Sequence, residues 1–203
     1  MNWSWCPSRL PNVEEWYKKE INPRGTIPAL KLPSGGIVHE STNIAMVLEE
    51  SLRGRGSQLL PDDPLRRASI RVFCGEADTM IASFAALLRA REAHLEDRRK
   101  TCRDNIRFVE GLIAEQHRTA GSIGPYFLGS DFSIADLHLV PFLDRFRYSL
   151  HEFHGFDVFK EAPLLKAMLS ASLQRASVQN SRLNRETYLM VYSRYVRVKK
   201  SKM

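Results

Sequence analysis

Long hydrophobic runs, a cysteine framework and metal-ligand spacing are all missing from this chain of 203 residues. No stretch approaches the roughly 18 uninterrupted apolar residues of a membrane-spanning helix, so no membrane partner is expected. The opening residues Met1-Asn2-Trp3-Ser4 have neither the basic start nor the apolar centre of a secretory signal. The three cysteines, Cys6, Cys74 and Cys102, form no close pair and no metal-type spacing with the six histidines. That argues against both a disulfide framework and a metal site. These absences lead to the expectation of a cytoplasmic protein in a reducing compartment.

Acidic excess is also missing. The net charge is +7, but the basic residues are spread along the chain except for a tail after Arg182. Tyr188, Tyr192 and Tyr195 stand among basic residues, yet their helical spacing reads as packing of a last helix, and no nucleic-acid partner is expected. The final Ser201-Lys202-Met203 is close to the Ser-Lys-Leu tripeptide that addresses proteins to peroxisome-type organelles. A solvated lysine tail is the alternative reading.

An ordinary globular composition is present, 43% apolar and 26% charged, enough for one good core or two small ones. A polar-aromatic stretch from Glu14 to Glu20 leads to a break at Asn22-Pro23-Arg24-Gly25. A run from Thr26 to Leu32, a turn at Pro33-Ser34-Gly35-Gly36 and a return from Ile37 to His39 read as a β-hairpin. A helix starts near Ser41. Leu59 to Pro64 is a linker, and helical periodicity dominates after it. Leu65, Ala68, Val72, Phe73, Ala77, Met80, Phe84 and Leu88 mark an amphipathic helix over residues 65–88. A second helix passes through Ile106, Val109 and Ile113; a third starts at Ser133 and should kink near Pro141. Shorter helices are expected from Pro163 to Ala171 and from Arg185 to Val196. Ser133 and Asp136 form an S-x-x-D cap ahead of an apolar helix, a structural role. The architecture is therefore α/β plus all-α, with a small module over residues 1–58 and an all-helical domain over residues 59–203.

Two stretches carry a family signal: Trp16 through Leu30, with Asn22-Pro23-Arg24-Gly25-Thr26-Ile27-Pro28-Ala29 continued by Gly36-Ile37-Val38-His39-Glu40-Ser41, and Phe127-Leu128-Gly129-Ser130-Asp131-Phe132-Ser133-Ile134-Ala135-Asp136. The first resembles the glutathione-binding half of glutathione transferases, closest to the omega-like and thiol-transferase-like branch. The second is similar to the start of the central helix of that family's C-terminal domain. The resemblance implies an incomplete thioredoxin-like module followed by the family's helical domain, with glutathione as substrate and homodimerisation through the first helix of the second domain. It implies that the Ile27 backbone, beside a cis Pro28, pairs with the cysteinyl part of glutathione. Glu40 would hold the γ-glutamyl ammonium and Ser41 the carboxylate, by hydroxyl and N–H at a helix N-terminus. The bland alternatives are that Pro28 is a turn proline and that Ser41 is a helix cap.

In that family the reactive Tyr, Ser or Cys sits just after the first strand. Before the Trp16 helix this chain has only about a dozen residues, where a strand and a helix need at least twice that. Cys6-Pro7 is a candidate catalytic step, but it lies too near Trp16 for the intervening helix and strand. The other reading makes Trp3 to Trp5 the second strand of the family order. Without the first strand an apolar sheet edge stays uncovered. Either residues 1–12 cover it, or the sequence is a truncated form whose catalytic residue lies upstream, and truncation is the expectation. Val13 stands where omega-like members place a Lys, which implies weak glutathione binding or a substitute cation. The expected function is glutathione-dependent conjugation or thiol transfer, with a non-catalytic binding or scaffold protein of the same fold as the alternative.

Overall fold

Residues 15–196 are described by a computed structural model, and the chain divides into two units, Met1–Leu60 and Pro61–Met203. Trp3 to Cys6, Val13 and Ser201-Lys202-Met203, for which the sequence sets expectations, lie outside the described residues. In the first unit, helix α1 (Glu15–Glu20) buries Tyr17 and is followed by strands β1 (Ala29–Lys31) and β2 (Ile37–His39). The strands pair antiparallel in the register Ala29↔His39, Leu30↔Val38, Lys31↔Ile37. The turn between them closes with Gly35 N–H donating to the Leu32 carbonyl at 2.9 Å and Leu32 N–H to the Gly36 carbonyl at 2.8 Å. Helix α2 (Ser41–Ser51) follows directly. After it, a Glu49 carboxylate oxygen accepts the Leu59 N–H at 2.7 Å and the Leu60 N–H at 3.4 Å. The small α/β module fits the thioredoxin-like expectation, but β1 is shorter than the run Thr26 to Leu32. The Thr26 carbonyl is used by side chains instead of by a ladder, and Pro28 has no N–H to give one.

Helices are the regular elements of the second unit, and the loop before the third long helix carries two isolated β-bridges, Tyr126↔Gly129 and Leu128↔Asp131. Its long helices are α3 (Pro64–Leu88), α4 (Leu95–Ala120) and α5 (Ile134–His154), followed by α6 (Pro163–Ser172), α7 (Ala176–Gln179) and α8 (Arg185–Tyr192). α3 packs on both α4 and α5, and α5 also contacts α6 and α8. Ile70, Phe73, Met80, Phe84, Ile113, Leu139, Leu143 and Leu165 fill the core. At about 25 cal/mol for each Å² of apolar surface removed from water, side chains of this size are the main stabilising term.

Sequence periodicity put Leu65, Ala68 and Val72 on the buried face of α3, and the structure corrects this. Leu65 is 80% and Val72 59% exposed, with Ala68 exposed beside them. At 100° per residue these three share one side of the helix while Ile70, Phe73, Cys74 and Ala77 occupy the other. Proline opens both α3 and α6, where a missing N–H leaves no bond unmade. Asp63 caps α3, accepting the Leu65 N–H at 3.0 Å. α6 is capped from a distance: Glu110 on α4 accepts the Leu164 and Leu165 N–H groups at 2.6 and 2.9 Å. α5 continues through Pro141 as one helix. The last helix ends at Tyr192, and a 3-10 turn, Ser193–Tyr195, takes the place of its expected final turn.

Asp144, almost fully buried on α5, gathers three partners. Arg147 Nη2 donates to it at 2.7 Å, Arg182 donates through Nε and Nη2 at 3.0 Å each, and Tyr188 Oη lies at 3.4 Å. The bidentate Arg182 contact fastens the segment before α8 to the central helix.

Candidate functional site

The hairpin register brings the two halves of the candidate site together. Ala29↔His39 is the last ladder pair, so Pro28 and Glu40 are the next residues out on the two strands at one end of the hairpin. Ile27 and Ser41 follow them. The Ile27–Pro28 peptide bond is cis, and Ile27 lies outside the ladder with 43% of its surface exposed. Glu40 has φ 68° and ψ 129°, a conformation that side chains with a Cβ rarely adopt. It is the one positive-φ residue other than glycine among the described residues. Such backbone persists where surrounding structure holds it, and it gathers at binding sites.

This geometry corrects the reading of Ser41 as the helix cap. Glu40 holds the N-cap position, its own side chain making no capping hydrogen bond, and Ser41 is the first residue within α2. The turn in direction is made at Glu40, one residue earlier than the sequence suggests. Both side chains are exposed. A helix start next to an exposed carboxylate that does not cap it presents partial positive charge and full negative charge side by side. That pairing suits a ligand end carrying both an ammonium and a carboxylate.

Sequence reasoning missed the support beneath Ile27. Asn22 is buried, and its Nδ2 donates to the Thr26 carbonyl at 2.8 Å and to Thr26 Oγ1 at 2.9 Å. Tyr17 Oη donates to the same carbonyl at 2.9 Å, and Asn22 Oδ1 accepts the Arg24 N–H at 3.1 Å. An asparagine before Pro-Arg-Gly reads as a turn residue, and nothing local reveals that its amide reaches across the loop. Asn22→Ala is expected to lower the stability of the first unit by about 2 kcal/mol, since it strands the Arg24 N–H and removes two donors. Urea denaturation measures this; a loss under about 0.5 kcal/mol would show that the loop is held without Asn22.

Among the described residues the thiols are unsuited to attack. Burial pushes the Cys74 thiol up to about 12, with Asp78 and Asp136 adding to it. Burial likewise pushes Cys102 up to about 11, and its Sγ donates to the Ser83 carbonyl at 3.3 Å. The candidate Cys6 lies outside the described residues. Ser133 and Asp136 form a capping box at the start of α5: the Asp136 carboxylate accepts Ser133 N–H at 2.8 Å, Ser133 Oγ–H at 2.9 Å and Phe127 N–H at 2.9 Å. No cluster of three or more His, Cys, Asp or Glu able to hold a metal occurs among the described residues. No helix among them is long and apolar enough to cross a membrane.

Comparison with known proteins matches both units of the chain to one family. The glutathione S-transferase C-terminal domain matches residues 68–181, and the corresponding N-terminal domain matches residues 2–51. The chain belongs to the glutathione S-transferase family, whose substrate is glutathione. It is similar to TDR1 of Leishmania, a trimeric glutathione transferase, with 33% identity and a TM-score of 0.79 over 90% of this chain and 40% of that one. It is also similar to glutathione transferase Omega 3C of Trametes versicolor, with 26% identity and a TM-score of 0.68 over 90% of this chain and 74% of that one. Glutathione S-transferase L3 of Arabidopsis thaliana is 27% identical over 163 residues, which are 80% of this chain and 63% of that protein. The chain thus spans less than two thirds of the Leishmania and Arabidopsis proteins.

Proposed function

We propose that this protein is a glutathione-dependent transferase or thiol-transfer enzyme of the omega-like branch, with residues 1–58 as its glutathione-binding domain and residues 59–203 as its helical domain. The Ile27 backbone beside Pro28 pairs with the cysteinyl part of the tripeptide. Glu40 takes the γ-glutamyl ammonium, and Ser41 takes the carboxylate through its hydroxyl and N–H. The observation that carries this reading is Glu40 at positive φ, an exposed residue at the N-cap of α2 whose side chain makes no capping hydrogen bond. The activating residue is placed outside residues 15–196, which fits the two buried thiols. In conjugation the glutathione thiolate forms the new S–C bond as the electrophile's leaving group departs; in thiol transfer it attacks a disulfide sulfur and releases the other as thiolate.

Glu40→Gln is expected to weaken glutathione binding about twentyfold and Ser41→Ala about fivefold in calorimetric titration, with melting temperatures unchanged. Affinity untouched by both substitutions would sink the assignment. The same buried thiols favour a second reading, a non-catalytic binding or scaffold protein. Turnover of a chloro-aromatic electrophile or of a glutathione mixed disulfide decides against it; binding without either decides for it.

The protein is placed in the cytoplasm as a homodimer. The exposed Leu65, Ala68 and Val72 stripe on the first helix of the helical domain supports the assembly through that helix.

A further inference from the structure

A cavity of about 260 Å³ lies within the helical unit, between one face of α4 and the chain that follows α5. Arg99, Arg103 and Ile106 stand on that face of α4, at positions that helical geometry stacks in line. Across from them, Gly155 ends α5 at φ 60°, and the Phe156 N–H returns to the Leu150 carbonyl at 3.1 Å. That turn sets Phe156 and Val158 as an apolar wall beside Ile106, all three buried. The Arg103 guanidinium stands 5.9 Å from the Phe156 ring centre.

The charges around this wall are not balanced. The lining carries three cations, Arg99, Arg103 and Lys160, against two carboxylates, Asp157 and Glu161. Both carboxylates have work elsewhere. Asp157 accepts the Phe159 N–H at 2.8 Å. Glu161 is held by Arg107, outside the cavity, at 2.8 and 3.0 Å. Arg107 holds the Glu161 carboxyl below the usual range, with Lys160 and Arg103 adding weakly. Arg99 is fixed in place, since its Nη2 donates to the His154 carbonyl and Glu96 lies 3.5 Å from its Nε. That Nε is buried and has no hydrogen-bond partner among the described residues. Arg103 and Lys160 make neither a hydrogen bond nor an ion pair among the described residues.

We propose that this cavity is a binding site for a small aromatic carboxylate, its ring against Phe156, Ile106 and Val158 and its carboxylate held by Arg103 and Lys160. An inorganic anion would leave the apolar wall unused, and a cation would face the unpaired positive charge. The volume admits about a dozen non-hydrogen atoms. Every residue of the site belongs to the helical unit, so the proposal does not depend on the glutathione reading.

The test uses the full chain and 2-naphthoate as probe, titrated by calorimetry. Saturable binding below about 1 mM is expected. Arg103→Glu and Lys160→Glu, both at exposed positions, are each expected to weaken it at least about tenfold without moving the melting temperature. Asp157→Asn keeps the turn acceptor, removes a negative charge and should tighten the probe about threefold. The neutral 2-naphthamide should bind about tenfold more weakly than the acid. Absence of saturable binding overturns the proposal. So does binding that both charge reversals leave unchanged, or binding as tight for the neutral amide.

Discussion

Asp136→Ala is expected to lower the stability of the helical unit by about 4 kcal/mol at neutral pH, shifting its melting by roughly 10 °C. Asp136 is fully buried, and its two oxygens accept from three donors, Phe127 N–H, Ser133 N–H and Ser133 Oγ–H. Alanine removes every acceptor at once and leaves these donors in a site that water does not reach. The loss extends beyond α5, because the Phe127 N–H belongs to the loop that leads into it. Differential scanning calorimetry of the variant measures the effect; a drop under about 1 kcal/mol would show that the cap does not hold that loop. The effect has a pH dependence of definite sign. Burial raises the Asp136 carboxyl above its ordinary 3.8, and the Phe127 and Ser133 donors pull it back only in part. The native carboxyl is thus a weaker acid than the unfolded one. Its contribution is fullest below the ordinary value and declines as pH rises through the raised one. The stability difference between wild type and Asp136→Ala should therefore narrow across that window as pH rises.

Gly124→Ala should also be costly, and the same change elsewhere should have the opposite sign. A Cβ at Gly124 would lie 2.3 Å from the Gly129 carbonyl oxygen, 2.4 Å from its carbon and 2.7 Å from the Ser130 nitrogen. These are backbone atoms, so no rotamer change makes room. The Tyr126 N–H to Gly129 carbonyl bond at 3.0 Å and its return at 2.9 Å hold that stretch closed. A methyl group must push the two strands of the loop apart, at a cost of about 3 kcal/mol. Gly111 sits mid-way along α4 and Gly75 along α3, with nothing within 4 Å of a Cβ at either. Alanine there should stabilise by about 0.5–1 kcal/mol, because glycine is the poorer helix former. Thermal melts of the three single variants check the contrast. A Gly124→Ala protein as stable as wild type would mean that the loop opens at little cost.

Much of the fold was legible because local pattern and tertiary role coincide. Phe73, Ala77, Met80, Phe84 and Leu88 recur at helical steps and are buried at those steps in α3. Pro33 to Gly36 can only turn, and the hairpin forms around it. The pattern failed where hydrophobicity has two uses: Leu65, Ala68 and Val72 follow the same period but face away from the core. Short elements were lost altogether. α7 spans Ala176–Gln179, too little to show a period, and Glu92–His94 forms a single 3-10 turn before α4. At the candidate site, residue types were readable but backbone was not. Nothing in Glu-Ser announces that Glu40 takes a positive φ and displaces the cap by one position. Long-range acceptors such as Glu110, which reaches Leu164 and Leu165, leave no mark in either local sequence.

The Asp144 cluster sets an order in which this sequence can drift. One carboxylate offsets the guanidinium groups of Arg147 and Arg182, and both are at hydrogen-bond distance from it. Losing either arginine leaves an ion pair intact. Losing Asp144 first leaves two positive groups confined beside each other with no counter-charge, a step far harder to survive. Replacement of this cluster by apolar residues would therefore have to begin with the arginines and end with the aspartate, so the three positions cannot change independently.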